Sequence, residues 1–275
     1  MKKMVCMVLV LMIMSTTSYS YGAYYDYGVE ASVRINDSYL YSDTPHILAG
    51  DTVFVVGRYL IEALGGTIEW FGETGTVRMT LGDKSMEIAI GSIDAKVDGA
   101  GLELYKAPFI KDGRTMIPLR FVSENFGCQV SWNQSTYTVD IVNSRAEIPE
   151  KYTYERNYTD EDLYLLAKIV TVESGDYSLD MALAIANTIL NRVEDERFPD
   201  TIEGVIYQVD GHVQFPPAHK ETFENLEPKH TSIAAAKKAL EGVNNIGDSL
   251  FFNNNPFVSK SEDLIRIIDG EYFYR

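Results

Sequence analysis

The chain has 275 residues, 45% of them hydrophobic, and its 24 Lys and Arg against 40 Asp and Glu leave a formal net charge of −16. That length allows two ordinary domains, each with a core of its own. So acidic a surface repels nucleic acid and anionic lipid, and no nucleic-acid partner is expected. At the start of the chain, Lys2 and Lys3 precede an apolar run over residues 4–14 and small residues over 15–20, which reads as a secretory signal at 1–23 cleaved after Ser20 or Ala23. The apolar run is too short to span a bilayer, so the expected mature protein is secreted and has no membrane span. It would keep 22 basic against 40 acidic residues, a balance of 22 − 40 = −18, and Cys128 alone. An internal disulfide is then impossible, and a buried, inert thiol is expected. With 18 Tyr in the chain, a neutral or sugar-like ligand that stacks on aromatic rings is easier to accommodate than a polyanion.

An internal repeat follows. Arg58, Glu62, Gly65 and Trp70 recur as Arg120, Glu124, Gly127 and Trp132, each 62 positions later, and Thr76-Val77 recurs as Thr138-Val139. Each copy predicts a strand, a helix closed by glycine, a strand carrying Trp and a further strand of alternating Val or Ile. Between the copies, residues 86–104 alternate like strands around an Asp98-Gly99 turn. Residues 29–143 resemble the copper amine oxidase N-terminal-like domain, most closely at Gly113-Arg114-Thr115-Met116-Ile117-Pro118-Leu119-Arg120-Phe121-Val122. Copper chemistry is not expected despite the name. His46, His212, His219 and His230 form no His-x-His pair, and Asn157-Tyr158 is followed by Thr159 where a quinone-forming tyrosine needs an acid. The resemblance implies a non-catalytic stalk, and the Arg58–Glu62 and Arg120–Glu124 spacings read as helix-surface ion pairs.

Periodicity is lost over 144–158, which reads as a linker, and a second domain is expected over 159–275. Thr159 with Asp162 predicts the cap of a helix whose apolar stripe, Leu163, Leu166, Ala167 and Val170, continues to Glu173. A carboxyl leaning toward a core keeps its proton to higher pH, as a general acid needs. The same residues also read as a solvated last turn stopped by Gly175, and periodicity does not choose between the two. Ser178 predicts the cap of an interior helix over 181–193. Its Asn187 and Asn191 need partners, either loop carbonyls or a ligand. Asp200 and Glu203 suggest a short capped helix through Val205, Ile206 and Tyr207, before a loop of His212, Gln214, Phe215, Pro216 and Pro217 suited to a binding wall. The irregular spacing of His212, His219 and His230 argues against a metal site. Thr231 or Ser232 would cap a helix over 233–240, and strands follow at 249–253 and 264–274, the latter split by Asp269-Gly270 into a hairpin. The fold class expected is α+β in two domains, a repeated strand-helix-strand unit and then a mainly helical domain with a small antiparallel sheet.

The second domain resembles the catalytic domain of the SleB-type spore cortex-lytic cell-wall hydrolases. The likeness rests on Glu173, Leu190-Asn191-Arg192-Val193, Phe198-Pro199-Asp200-Thr201-Ile202, Gly204-Val205-Ile206-Tyr207-Gln208, Gln214-Phe215, Phe251-Phe252-Asn253 and Phe273-Tyr274. It implies a lysozyme-like fold, a secreted, wall- or spore-associated enzyme acting on peptidoglycan glycan strands without a cofactor, and Glu173 as the catalytic acid. Glu271 departs from the pattern by standing where the family often has His. Ordinary glycosidases need two carboxylates. No second acid looks as well placed as Glu173, because capping explains Asp176 and Asp180, so the expected chemistry is that of a lytic transglycosylase. The expected glycan contacts are Tyr207, Gln214, Phe215 and Asn191. The alternatives are a water-using muramidase at the same site and a non-enzymatic wall-binding scaffold.

Overall fold

The computed structural model describes residues 29–275, so the expected signal segment at 1–23 lies outside the described residues. In the first unit, β1 (Val29–Ile35), β2 (Ser38–Leu40), β3 (His46–Ala49) and β4 (Thr52–Val56) lead into α1 (Gly57–Ala63), β5 (Thr67–Phe71) and β6 (Thr76–Leu81). A meander continues through β7 (Lys84–Ala89), β8 (Asp94–Val97) and β9 (Ala100–Glu103). Then β10 (Phe109–Lys111) and β11 (Arg114–Pro118) precede α2 (Leu119–Asn125), β12 (Gln129–Asn133) and β13 (Thr138–Val142). The repeat is therefore structural: β4–α1–β5–β6 and β11–α2–β12–β13 are two copies of one unit. Gly65 and Gly127 close the two helices at φ 86 and 85, where a residue with Cβ is strained. The copies meet where β4 pairs β11, Val55 opposite Ile117. Arg58–Glu62 at 3.2 Å and Arg120–Glu124 at 3.0 Å are ion pairs on the helix surfaces. Cys128 is buried and receives a hydrogen bond from Asn143 at 3.4 Å, and burial pushes its thiol above the ordinary value.

Residues 144–158, expected as a linker, lie along the first unit. A 3-10 turn at Glu150–Tyr152 buries Tyr152, and β14 (Thr153–Tyr154) pairs β2. The second unit begins with α3 (Asp160–Ser174), whose expected capping box is present: Asp162 N–H donates to Thr159 Oγ1 at 3.0 Å and Thr159 N–H to Asp162 Oδ2 at 2.9 Å. Ser178 caps α4 (Leu179–Glu194) through Met181 N–H at 3.2 Å. For α5 (Ile202–Ile206) the cap is Thr201, which accepts from Gly204 N–H, in place of the expected Asp200. The hairpin β15 (Val209–Asp210) and β16 (His212–Val213) follows, with α6 (Glu221–Glu224) and α7 (His230–Leu240) beyond it. Helix α7 starts ahead of the expected Thr231 or Ser232, and Lys229 N–H donates to Thr171 Oγ1 of α3 at 3.0 Å, which ties its start to a neighbour. The last sheet has the order β17 (Phe251–Asn253), β19 (Glu271–Tyr274), β18 (Leu264–Ile268). Asp269 at φ 49 and Gly270 at φ 87 make the expected two-residue turn. Strands fill the first unit and helices dominate the second, an α+β arrangement. Among the described residues no helix is long and apolar enough to cross a membrane.

The two units share a seam. In the second copy of the repeat, Tyr137 adopts φ 50 at the position where the first copy has Gly75, at φ 62. Left-handed backbone costs a bulky residue about 1–2 kcal/mol. The strain is offset because the Tyr137 ring, 1% exposed, packs in the core of the second unit and edge-on to Trp132 at 5.4 Å. Its hydroxyl meets His230 Nδ1, which also lies 3.0 Å from Gln134 Nε2. Lys238 reaches Glu30 at 3.0 Å, and Arg34 bridges Asp140 at 2.6 Å and Asp160 in the first turn of α3 at 3.4 Å. Tyr137→Gly keeps the backbone conformation and removes only the ring. The expected cost is about 2–4 kcal/mol, read by calorimetry as a lower Tm with the two units melting apart.

Candidate active site

The C-terminal end of α3 is the point on which three segments converge. Leu163, Leu166, Ala167, Ile169 and Val170 of α3 are fully buried against the other helices, and the same face carries Glu173 half-buried next to the buried Ser174. Gly175 then ends the helix at φ 57, and two contacts clamp the turn that follows. From the start of α7, Lys229 Nζ donates to Gly175 O at 2.8 Å and to Asp176 Oδ1 at 2.5 Å. From the tip of the β18–β19 hairpin, Asp269 Oδ2 accepts from Ser178 N–H at 3.1 Å and Ser178 Oγ at 2.6 Å. Glu271 is two residues past that contact, at the start of β19 opposite Ile268.

The acids gathered here fall into two classes. The Lys229 ammonium holds Asp176 below the ordinary carboxylate range, and the hydrogen bonds from Ser178 do the same for Asp269. Both are ionised clamps. Glu173 is pushed the other way, first by burial and then by the charge of Glu271, and burial also raises Glu271. Two carboxyls pushed toward their protonated forms, beside two held ionised, separate groups able to deliver a proton from groups that hold the turn in place.

The other expected site residues divide. Tyr207 is 39% exposed, its ring edge-on to His219 at 5.7 Å, and is free to meet a ligand. Half-buried Gln214 accepts from Arg192 Nη1 at 3.4 Å. Phe215, at 2% exposure, lies in the core beneath the Arg192 guanidinium at 5.3 Å. Asn191 is held by the chain that follows α7. Its amide donates to Gly247 O and Ser249 O at 2.8 Å each, and its carbonyl accepts from Asn244 at 3.1 Å, so it ties down the 244–249 loop. Asn187 does the same through Val243 O at 3.1 Å, and Arg192 through Leu250 O at 2.8 Å. Glu271 is the residue that sequence reasoning left without a role. The turn signal at Asp269-Gly270 pointed toward it, because a two-residue hairpin fixes which residue opens the returning strand. Among the described residues no group of three or more His, Cys, Asp or Glu is arranged to hold a metal ion.

Comparison with known proteins fits this division of the chain. Residues 34–141 match the copper amine oxidase N-terminal domain family, and residues 178–274 match the Cell Wall Hydrolase family. The hydrolase match begins at Ser178, so Glu173 precedes it. The spore cortex-lytic enzyme of Oceanobacillus iheyensis is 29% identical over 102 residues, 36% of this chain and 34% of that protein. That of Bacillus cereus is 31% identical over 100 residues, 35% of this chain and 36% of that protein. The chain thus spans about a third of the length of these relatives. Among solved structures, the catalytic domain of the germination-specific lytic transglycosylase SleB from Bacillus anthracis is 25% identical. It aligns over 44% of this chain and 100% of its own length, with a TM-score of 0.38.

The raised Glu173 has a consequence for stability. A carboxyl that ionises less readily folded than unfolded contributes stability at low pH that is lost as pH rises from the ordinary value of 4.5 through the folded one. Glu173→Gln mimics the protonated form. It is expected to raise Tm at pH 7 and to leave Tm unchanged near pH 4. Thermal melts at both pH values check this.

Proposed function

We propose that this is a secreted, wall- or spore-associated enzyme that cleaves the bond between MurNAc and GlcNAc in peptidoglycan as a lytic transglycosylase. In this reading residues 159–275 form the catalytic domain, with a lysozyme-like fold, and residues 29–143 a non-catalytic stalk joined to it through 144–158. The observation that carries the reading is the half-buried Glu173 carboxyl, pushed toward its protonated form at the end of a rigid helix. The cell wall hydrolase match over 178–274 and the spore cortex-lytic relatives support the substrate class.

The chemistry needs one carboxyl in two protonation states. Protonated Glu173 gives its proton to the glycosidic oxygen as the bond from C1 of MurNAc to that oxygen breaks. The 6-hydroxyl of the same MurNAc then bonds to C1, and the Glu173 carboxylate takes the hydroxyl proton. Glu173 is restored, no water is consumed, and the product ends in 1,6-anhydroMurNAc. Tyr207 and Gln214, beside the loop that follows α5, are the proposed glycan contacts. A second reading is favoured by Glu271, which supplies the second carboxyl that a water-using muramidase requires. The single-carboxyl route is preferred because it needs no reacting group beyond Glu173.

Mass spectrometry of digested peptidoglycan separates the two. Anhydro-ended muropeptides are expected, and reducing ends would establish the muramidase instead. Glu173→Gln is expected to lower turnover by at least about 100-fold, and a variant that clears the wall as fast as the parent would remove the assignment.

The pH profile tests the role of Glu271. The acid form of Glu173 is present below its raised pKa, so activity falls as pH rises through it. Glu271→Gln removes the neighbouring negative charge, eases ionisation of Glu173 and is expected to shift the alkaline limb of the rate profile to lower pH while turnover persists. Loss of turnover at every pH would make Glu271 a reacting group.

A further inference from the structure

The first unit carries a groove of about 490 Å³, a volume ordinary for a ligand cleft, with no role in the chemistry above. Trp132, Phe121 and Tyr105 provide its aromatic walls, and Asp51, Arg120 and Gln134 its polar edge. Tyr105 is 86% exposed, the condition of a ring that contributes little to the fold. Its position is nonetheless defined. The preceding Leu104 is buried at 3% exposure, and the following Lys106 donates to Ala49 O at 3.4 Å and faces Asp51 at 3.8 Å. Gly50 lies under this anchor at φ 66, the left-handed backbone that favours glycine. The loop from 104 to 106 is thus pinned across the β3–β4 turn with Tyr105 held at the groove.

Three properties specify the occupant. The charges at the groove already have partners: Arg120 is paired with Glu124 at 3.0 Å and Asp51 with Lys106 at 3.8 Å. A neutral ligand fits this balance better than an ion. Aromatic faces edged by hydrogen-bonding side chains suit sugar rings, which present C–H groups on their faces and hydroxyls around their rims. The groove also borders the seam, and a chain of contacts links its edge to the turn after Glu173. Gln134, on its edge, lies 3.0 Å from His230, and the adjacent Lys229 holds Gly175, two residues past Glu173. The first copy of the repeat gives the contrast. There Trp70 is 50% exposed on a strand away from the seam, whereas its counterpart Trp132 packs against the cores of both units.

We propose that this groove is a glycan subsite, in which the sugar strand extending from the Glu173 site crosses the start of α7 and stacks on Tyr105 and Trp132. The stalk then becomes part of the substrate path, and long strands are held at two points. This inference rests on the peptidoglycan reading of the Glu173 site.

The test is co-sedimentation of the full chain carrying Glu173→Gln with purified sacculi, so that the strand is bound and not cut. Adding Tyr105→Ala is expected to weaken binding roughly five- to tenfold, the loss of one stacked ring. Tyr105→Phe keeps the ring and is expected to bind like its parent. Unchanged binding by the Tyr105→Ala variant would overturn the groove. Muropeptide release by the unmodified chain from the same sacculi separates the two levels of failure. Release together with unchanged Tyr105→Ala binding removes the groove alone, and absence of release removes the reading of Glu173 and the groove with it.

Discussion

The desolvation of one carboxyl, Glu173, is the constraint that organises the second unit. A carboxyl desolvated at the end of a helix requires a buried helix and a fixed break directly after it. Each has its own source in the chain. The capping box at Thr159 and Asp162 starts α3, its apolar residues bury it, and Gly175 supplies the backbone conformation that ends it. Lys229 and Asp269 then hold the turn from opposite sides. Their charges do separate work from the chemistry, since the partners that fix Asp176 and Asp269 also keep both ionised. Glu173 is shifted because burial leaves it without that compensation, and the charge of Glu271 adds to the effect.

Local signals were legible wherever the cause was local. The caps at Thr159 and Ser178, the Asp269-Gly270 turn and the 62-residue repeat are written in adjacent or evenly spaced residues, and the structure carries all of them. Features that depend on distant partners were not legible. Phe215 looked like a binding-wall residue because it lies among prolines, but its ring fills the core under Arg192. Asn191 looked available to a ligand because its partners, Gly247, Ser249 and Asn244, lie more than fifty residues on. The charge of Glu271 bears on Glu173 from a hairpin whose tip docks on Ser178, a contact across 91 positions that no periodicity encodes.

The seam between the units shows how a duplicated module acquires a partner. Both copies keep the glycine-closed helix and the Trp-bearing strand, yet the turn position that is Gly75 in one copy is Tyr137 in the other. The second copy accepts backbone strain and places an aromatic ring in the core of the neighbouring unit. The first unit also reaches α3 through Arg34 and α7 through Gln134, so it borders both helices that position the turn after Glu173.

The most direct measurement is a titration of the Glu173 side chain itself, followed through its carboxyl carbon by NMR in the intact folded chain. The expected midpoint lies above the ordinary glutamate value of 4.5 and moves down when Glu271 is neutralised. A midpoint at or below 4.5 would mean that the carboxyl is ionised throughout the neutral range with no proton to give, and would contradict the account at its base.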